Sequence, residues 1–153
     1  MRYWLFKSEP SSYSVDDLAR DRTTAWTGVR NYQARNFMRD EMRAGDRGLF
    51  YHSSCDEPGI VGIVEICAPA YPDESQFDRK SRYHDPAATR AAPRWFNVDV
   101  KLIEKTRHLG LQELRRDKAL KGLQILQRGN RLSITPVTAA EWKRIIALVK
   151  RKT

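Results

Sequence analysis

The sequence predicts an α+β domain in which about five to six strands form a small mixed β-barrel with short helices at its rim. Two observations support this prediction. Segments with strand-like alternation and segments with helical spacing follow one another without a strand–helix–strand repeat. The 153 residues also match the length of one domain that buries its own core. We therefore interpret residues 1–153 as a single domain.

Two elements are predicted near the N-terminus. Residues 2–7 alternate between two faces, and Glu9-Pro10 ends this first strand. Ser14 can then accept hydrogen bonds from the free N–H groups of a short helix that reaches about Arg20. Acidic residues in its first turn suit the positive end of the helix dipole.

A second helix is predicted over residues 32–43, after a segment that shows no periodicity. Asn31 can cap the start of this helix. Three arginines recur every four residues along one of its flanks, at Arg35, Arg39 and Arg43. This flank either binds anions or forms a solvated face paired with neighbouring carboxylates.

The middle of the chain predicts three further strands and one long loop. Residues 48–52 and 60–66 form consecutive strands, and the second of them alternates cleanly. Residues 69–94 hold four of the seven prolines, which predicts a loop with at most one helical turn. Residues 94–105 alternate again and form the fourth strand. A loop of that length in a small domain is usually functional or mobile.

The C-terminal part predicts short helices, a last strand and a capped helix. Leucines at helical spacing over residues 110–127 predict two short helices that break near Asp117 or Gly122. Residues 131–134 form a fifth strand that the following proline stops. A capping box at residues 138–141 then starts the final helix.

The excess of basic residues predicts a polyanionic partner. The chain carries 28 Lys and Arg against 19 Asp and Glu, a formal net charge of +9. Arginines interleaved with aromatic residues favour nucleic acid over an anionic membrane, although a surface made basic for solubility would give the same count. The apolar run at residues 3–6 is too short for a signal peptide or a membrane span, so we expect a cytoplasmic or nuclear protein. Our specific expectation is a monomer in the cytoplasm.

Catalysis by a cofactor, a metal or a thiol has little support in the sequence. His52 and Cys55 lie too close along the chain to meet as nucleophile and base. No His and Cys spacing suits a metal ion, and no glycine pattern suits a nucleotide phosphate, so we expect neither a metal nor a cofactor. Cys55 and Cys67 are predicted to be reduced thiols.

One group of residues allows an enzymatic alternative. Lys7, Ser8 and Glu9 follow one another at the end of the first strand, where Lys7 and Glu9 share a side. An amine, a hydroxyl and a carboxylate can serve an amidohydrolase that acts on an acylated nucleoside. The simpler interpretation is an ion pair between Lys7 and Glu9 that ends the strand.

The segment from Trp26 to Tyr32 is better suited to binding. A base pocket needs flat apolar faces for stacking, fixed polar groups for the base edge and cations for phosphates. Trp26 supplies an indole, Gly28 permits close backbone approach, and Arg30 supplies a cation. Free N–H groups at the helix start at Asn31 could contact an oxygen of the ligand. Trp26 as an ordinary core residue is the alternative.

Several longer motifs, in the same order along nearly the whole chain, resemble the EVE domain family. They are YWLFKSEP (3–10), WTGVRNYQARNF (26–37), FYHS (50–53), PGI (58–60), AYPD (70–73), HDP (84–86), PRW (93–95), VDV (98–100) and RLSITPVT (131–138). The resemblance implies a PUA-like barrel, related to the YTH readers of methyladenosine, that recognises a methylated or hydroxymethylated cytosine or a methyladenine in DNA or RNA. Within the family, the chain resembles a bacterial-type stand-alone domain. A general RNA-binding PUA-like module without base selectivity is the alternative to a reader.

The resemblance also implies which residues form the base pocket. They are Lys7, Ser8, Glu9, Trp26, Val29, Asn31, Tyr51, His52, Ser53, Leu132, Ser133 and Ile134. Basic residues near these motifs are expected to hold phosphates, namely Arg30, Arg35, Arg39, Arg79 and Arg82. We expect His52 to be a hydrogen-bonded wall residue of this pocket.

Overall fold

The structure, a computed structural model, describes residues 1–151 and is built from eight strands and short helices. The strands are β1 (Tyr3–Ser8), β2 (Thr23–Ala25), β3 (Arg47–His52), β4 (Gly59–Ile66), β5 (Tyr71–Pro72), β6 (Phe96–Asn97), β7 (Asp99–Gly110) and β8 (Ile134–Val137). The α-helices are α1 (Val15–Asp21), α2 (Tyr32–Asn36), α3 (Leu111–Arg116) and α4 (Ala139–Val149). A π-helical turn continues α2 over Phe37–Glu41, and 3₁₀ turns lie at Glu74–Phe77, Lys118–Leu120 and Gln124–Leu126.

Six of the strands form one curled sheet in the order β2-β7-β4-β3-β1-β8. β1 and β3 are parallel, and the other neighbours in this sheet are antiparallel. The registers of β3 with β4 and of β4 with β7 shift at three points, and such bulges increase the local twist. The predicted small mixed barrel with helices at its rim is therefore confirmed in the form of a half-barrel with β2 and β8 at its edges. β5 and β6 form a separate two-stranded ribbon.

The two faces of the sheet support two hydrophobic cores. Successive residues of a strand point to opposite faces, so Trp4 and Phe6 pack in the first core whereas Leu5 packs in the second. The first core also takes in α1, Trp26 and Met38, and the second packs against α3 and α4. The candidate site lies on the side of the first core.

The helix caps follow the sequence predictions closely. Ser14 and Thr138 each accept a backbone N–H and form a full capping box with the acidic residue three positions later. Asn31 caps α2 by accepting a hydrogen bond from the Ala34 amide over 3.0 Å. The leucine-rich segment breaks at Asp117, as predicted. The helix predicted to reach residue 43 ends at Glu41 instead, through the π-helical turn.

Several predictions about the strands are wrong. The loop predicted over residues 69–94 contains β5, and the strand predicted over residues 94–105 is divided into β6 and the longer β7. The segment from Thr23 to Ala25, which shows no periodicity, forms β2 because it pairs with β7. The last strand covers Ile134–Val137 and includes Pro136, which was expected to stop it. A proline is tolerated there because β8 is an edge strand that pairs only with β1, and its missing N–H faces away from the ladder. No helix in the described part of the chain is long and apolar enough to cross a membrane.

Candidate nucleic-acid interface

An open cleft of about 470 Å³ lies beside the first core, within the usual volume range of small-molecule sites. Four parts of the chain enclose it: the end of β1 with the turn that follows, the segment from β2 to Arg30, two residues of the long loop, and Ser133 just before β8. Its lining residues are Lys7, Ser8, Glu9, Ser12, Tyr13, Thr24, Ala25, Trp26, Thr27, Gly28, Val29, Arg30, Arg82, Tyr83 and Ser133. The cleft therefore combines aromatic rings, hydroxyls and charged groups in one concave surface.

Trp26 belongs both to the core and to the cleft. Its indole is 9% exposed and meets Phe6 and Phe50 edge-on, with ring centroids 5.1 and 5.6 Å apart. Its amide donates a hydrogen bond to the carbonyl of Val98 over 2.8 Å, which fixes the backbone beside β7. Packing therefore holds the indole in the core, as one of the two alternatives predicted, while one side of it lines the opening.

Tyr83 forms a wall of the cleft that sequence reasoning missed. Gly28 has φ +79°, and a Cβ placed on it would lie 2.7 Å from two carbons of the Tyr83 ring. Only glycine therefore lets the phenol ring lie against the backbone at this point. The available signal was an aromatic residue beside Arg82 in a long polar loop, a combination typical of nucleic-acid surfaces.

Asp73 anchors the long loop to the cleft and was also missed. Its carboxylate is fully buried and accepts hydrogen bonds from the Gly28 amide over 2.8 Å and from the Ser75 amide over 2.9 Å. The Ser75 hydroxyl and the Arg30 guanidinium also donate to it. Burial alone would raise the pKa of the Asp73 carboxyl, but the hydrogen bonds from Ser75 and Gly28 outweigh it and hold the pKa below its ordinary value. Asp73 is thus a buried carboxylate that joins the long loop to Gly28 and Arg30 through hydrogen bonds.

Arg30 was expected to bind phosphate, and the structure gives it a different role. Its guanidinium donates two hydrogen bonds to the Tyr83 carbonyl, over 2.7 and 3.1 Å, and one to the Ser75 hydroxyl over 3.1 Å. It also lies 5.2 Å from the ring centroid of Trp95 and 5.4 Å from that of Tyr83. Because its donors are used within the protein, Arg30 clamps the loop to the cleft and is not a free cation for a ligand.

The other four arginines predicted to bind phosphate differ in whether their guanidinium groups already have partners within the protein. Arg39 pairs with Asp40 over 2.7 Å, which matches the solvated-face alternative. Arg35 donates to the Arg94 carbonyl over 2.8 Å and lies 4.7 Å from the Tyr32 ring centroid. Arg79 and Arg82 are exposed, and neither pairs with a carboxylate of residues 1–151. Of these four, only Arg82 lines the cleft.

Lys7, Ser8 and Glu9 all line the cleft, but they do not form the expected ion pair. No salt bridge joins Lys7 to Glu9 or to any carboxylate in the described range, and burial lowers the pKa of Lys7. The Ser8 hydroxyl donates to the Tyr13 carbonyl over 2.6 Å. A hydroxyl whose proton is held by a carbonyl is poorly placed as a nucleophile, because a carbonyl cannot take that proton.

Ser133 and Val29, two further predicted pocket residues, also line the cleft. The Lys7 amide donates to the Ser133 carbonyl over 2.8 Å, so strand pairing beyond the end of β8 brings Ser133 to the cleft. Val29 lines the cleft with a side chain that is largely buried in the first core.

The remaining predicted pocket residues do not line the cleft. Tyr51 packs in the second core, because the residue after Phe50 on β3 points to the opposite face of the sheet. Ile134 is fully buried in the first core. The Asn31 side chain caps α2, and the Ser53 amide donates to the Ser8 carbonyl over 3.0 Å. Leu132 is half-buried beside Ser133.

His52 is hydrogen-bonded, as expected, but to the start of α1. Its Nε2 accepts the Val15 amide over 3.1 Å, which requires a neutral ring, and burial lowers the pKa of the imidazole below 6.5. The unfolded chain binds this proton more readily than the folded protein does. The contribution of His52 to the free energy of unfolding should therefore be fully present above about pH 6.5, and stability should decrease as the pH falls below that value. Urea unfolding between about pH 5 and pH 7 measures this slope. His52→Gln, whose side-chain oxygen can accept the same amide, should flatten it, and an unchanged slope would contradict the assignment.

A family model and several close relatives identify the family of this chain. The EVE domain model matches residues 2–148. Thymocyte nuclear protein 1 of Gallus gallus is 42% identical over 170 residues, which cover 98% of this chain and 69% of that protein. A crystal structure from Pseudomonas syringae is 48% identical with a TM-score of 0.91, covering 95% of this chain and 98% of that one. Human THYN1 protein, solved in complex with 5-methylcytosine-containing DNA, is 37% identical with a TM-score of 0.92 and full coverage of both chains.

Proposed function

Because this chain belongs to the EVE domain family, we propose that it is a non-catalytic nucleic-acid-binding reader whose cleft takes in one modified base of the methylcytosine, hydroxymethylcytosine or methyladenine class. The observation that carries the proposal is the open cleft with the rigid Trp26 indole on one side and Tyr83 on another. The related human protein was solved with 5-methylcytosine-containing DNA. The family, the fold and the cleft therefore support the same function.

The energetics of such a cleft favour binding of a single extruded base. Stacking on an aromatic side chain contributes roughly 1–3 kcal/mol per base. Taking a base out of a duplex costs a few kcal/mol, and this cost is smallest for single strands or damaged pairs. Burying one added methyl group contributes about 0.8 kcal/mol, a selectivity of about four-fold. We therefore expect a modest preference for the modified base and tighter binding to single strands.

Polar groups on the cleft wall suit the edge of a cytosine or an adenine. Glu9 is exposed and has no salt-bridge partner among the described residues, so its carboxylate is free to accept a hydrogen bond from an exocyclic amino group. Lys7 can donate to a ring nitrogen or a carbonyl oxygen on the same edge. Both bases carry an amino group beside a ring acceptor, which fits this donor and acceptor pair.

A panel of oligonucleotides tests the proposed function. DNA and RNA strands that differ only in one modified base would be titrated at about 0.15 M salt, where nonspecific attraction is weakened. A reader should bind at least one modified strand several-fold more tightly than its unmodified partner. Equal affinity across the whole panel would overturn the proposal and leave a general RNA-binding module.

The same protein should leave an acylated nucleoside intact, in contrast to an amidohydrolase. Product formation that disappears with Lys7→Ala or Glu9→Ala would assign catalysis to these residues and overturn the non-catalytic proposal.

We also propose that the domain acts as a monomer in the cytoplasm. Light scattering at working concentration checks the oligomeric state.

A further inference from the structure

A second cleft lies in the segment that connects α3 to β8. It has a volume of about 1030 Å³ and is formed by residues 115–118, 121 and 125–130. None of these residues lines the cleft at Trp26. The two clefts are thus separate surfaces.

The second cleft is strongly basic. Six exposed cations lie on its walls or next to them: Arg115, Arg116, Lys118, Lys121, Arg128 and Arg131. None of the six pairs with a carboxylate of residues 1–151. The single carboxylate within residues 115–131 is Asp117, and Arg144 neutralises it over 2.7 Å. Unpaired cations held close together repel one another, which destabilises the free protein, and a bound polyanion relieves this repulsion.

The backbone of this segment holds the cations in place. The Gln127 side chain donates hydrogen bonds to the Lys121 carbonyl over 3.0 Å and to the Leu123 carbonyl over 3.1 Å. Leu120 and Leu123 are fully buried in the second core and anchor the two 3₁₀ turns. The charged side chains therefore project from an ordered surface.

The second cleft adjoins the cleft at Trp26. Asn130 lines the second cleft and Ser133 lines the first, so only two residues lie between them along the chain, and their Cα atoms are at most about 11 Å apart. The exposed Arg131 lies between them. Each strand of a duplex carries one phosphate per about 3.4 Å of helix axis, so a strand whose base enters the first cleft can reach the second within about three or four nucleotides.

We propose that the basic cleft of residues 115–130 binds the phosphate backbone of the nucleic-acid strand that continues from the base held at Trp26. The cleft contributes affinity without base preference, because phosphate contacts carry no sequence information. This inference rests on the proposed function in one respect, namely that the bound strand continues from a base held at Trp26. The phosphate site itself depends only on the charges described above.

Salt dependence of binding tests the inference. In Lys121→Gln/Arg128→Gln the slope of log K against log salt for a single-stranded oligonucleotide should fall by about 1.4, since each lost phosphate contact contributes about 0.7. Affinity at about 0.15 M salt should drop roughly tenfold, equally for modified and unmodified strands. A modified nucleoside monophosphate, which has no neighbouring phosphates, should bind both proteins alike. Both residues are exposed, so the melting temperature should stay unchanged.

A matched variant controls for net charge. Arg2→Gln/Arg43→Gln removes the same two charges from exposed positions beside a small cavity outside both clefts, and its slope should stay near that of the wild type. A slope unchanged in Lys121→Gln/Arg128→Gln, or lowered equally in the control, overturns the inference. If the wild type shows no preference for a modified base but the slope still falls by more than one, the proposed function fails and the phosphate site stands.

Discussion

Replacing Trp26 with alanine is expected to lower affinity for a modified oligonucleotide by about 5- to 150-fold and to remove the preference for the modified base, because stacking contributes roughly 1–3 kcal/mol per base. The same change leaves a cavity between Phe6 and Phe50 and should cost about 3–5 kcal/mol of stability. Isothermal titration measures the affinity, at a temperature where circular dichroism shows that the variant is folded.

Two further variants separate binding from stability. Trp26→Phe keeps an aromatic face with a smaller loss of packing, so it should bind more weakly than the wild type but retain some preference for the modified base. Trp142 stacks on Tyr3 at the second core, with ring centroids 4.5 Å apart, and does not line the cleft. Trp142→Ala should therefore lose stability without losing base preference. If Trp26→Ala retained the full preference, the indole would not be the stacking face.

Replacing Asp73 with alanine is expected to cost about 3–5 kcal/mol of stability, since it leaves the Arg30 guanidinium and the Gly28 amide without their buried acceptor. Affinity for the modified oligonucleotide should fall as well, because Arg30 also holds the Tyr83 carbonyl. Urea unfolding measures the first effect, and titration of the fraction that remains folded measures the second.

Because the pKa of Asp73 is lowered in the folded protein, its contribution to stability should depend on pH. A carboxyl whose folded pKa lies below its unfolded value of about 3.9 stabilises the fold fully above that pH, and the contribution is lost as the pH falls through the folded pKa. Asp73→Asn, which cannot ionise, should therefore be less stable at neutral pH and show a shallower loss in acid than the wild type.

Asp46 provides the matched control for Asp73. It is also buried, and it accepts hydrogen bonds from the Arg2 and Arg43 amides and from the Trp4 indole, outside both clefts. Asp46→Asn should lower stability and leave base binding intact. Equal loss of binding in the two variants would mean that Asp73 acts only through global stability.

Local sequence patterns were enough to predict most of the elements. Alternation identified β1, β3 and β4, and side-chain caps identified the starts of α1, α2 and α4, because these signals act between residues a few positions apart. They missed β2, whose three residues carry no period, and misplaced β8, whose proline is tolerated only at an edge.

The sequence by itself determined the α+β class, the basic charge, and the family motifs that contain Lys7, Trp26 and Gly28. Only the tertiary structure decided which side chains stay free for a ligand. Asp73 reaches the Gly28 amide across 45 positions of chain, and its partner Arg30 is thereby used within the protein. Strand alternation likewise turns Tyr51 into the second core, while the long loop brings Tyr83 to the cleft. Hydrogen bonds and packing between distant segments depend on the complete fold, so no local pattern contains them.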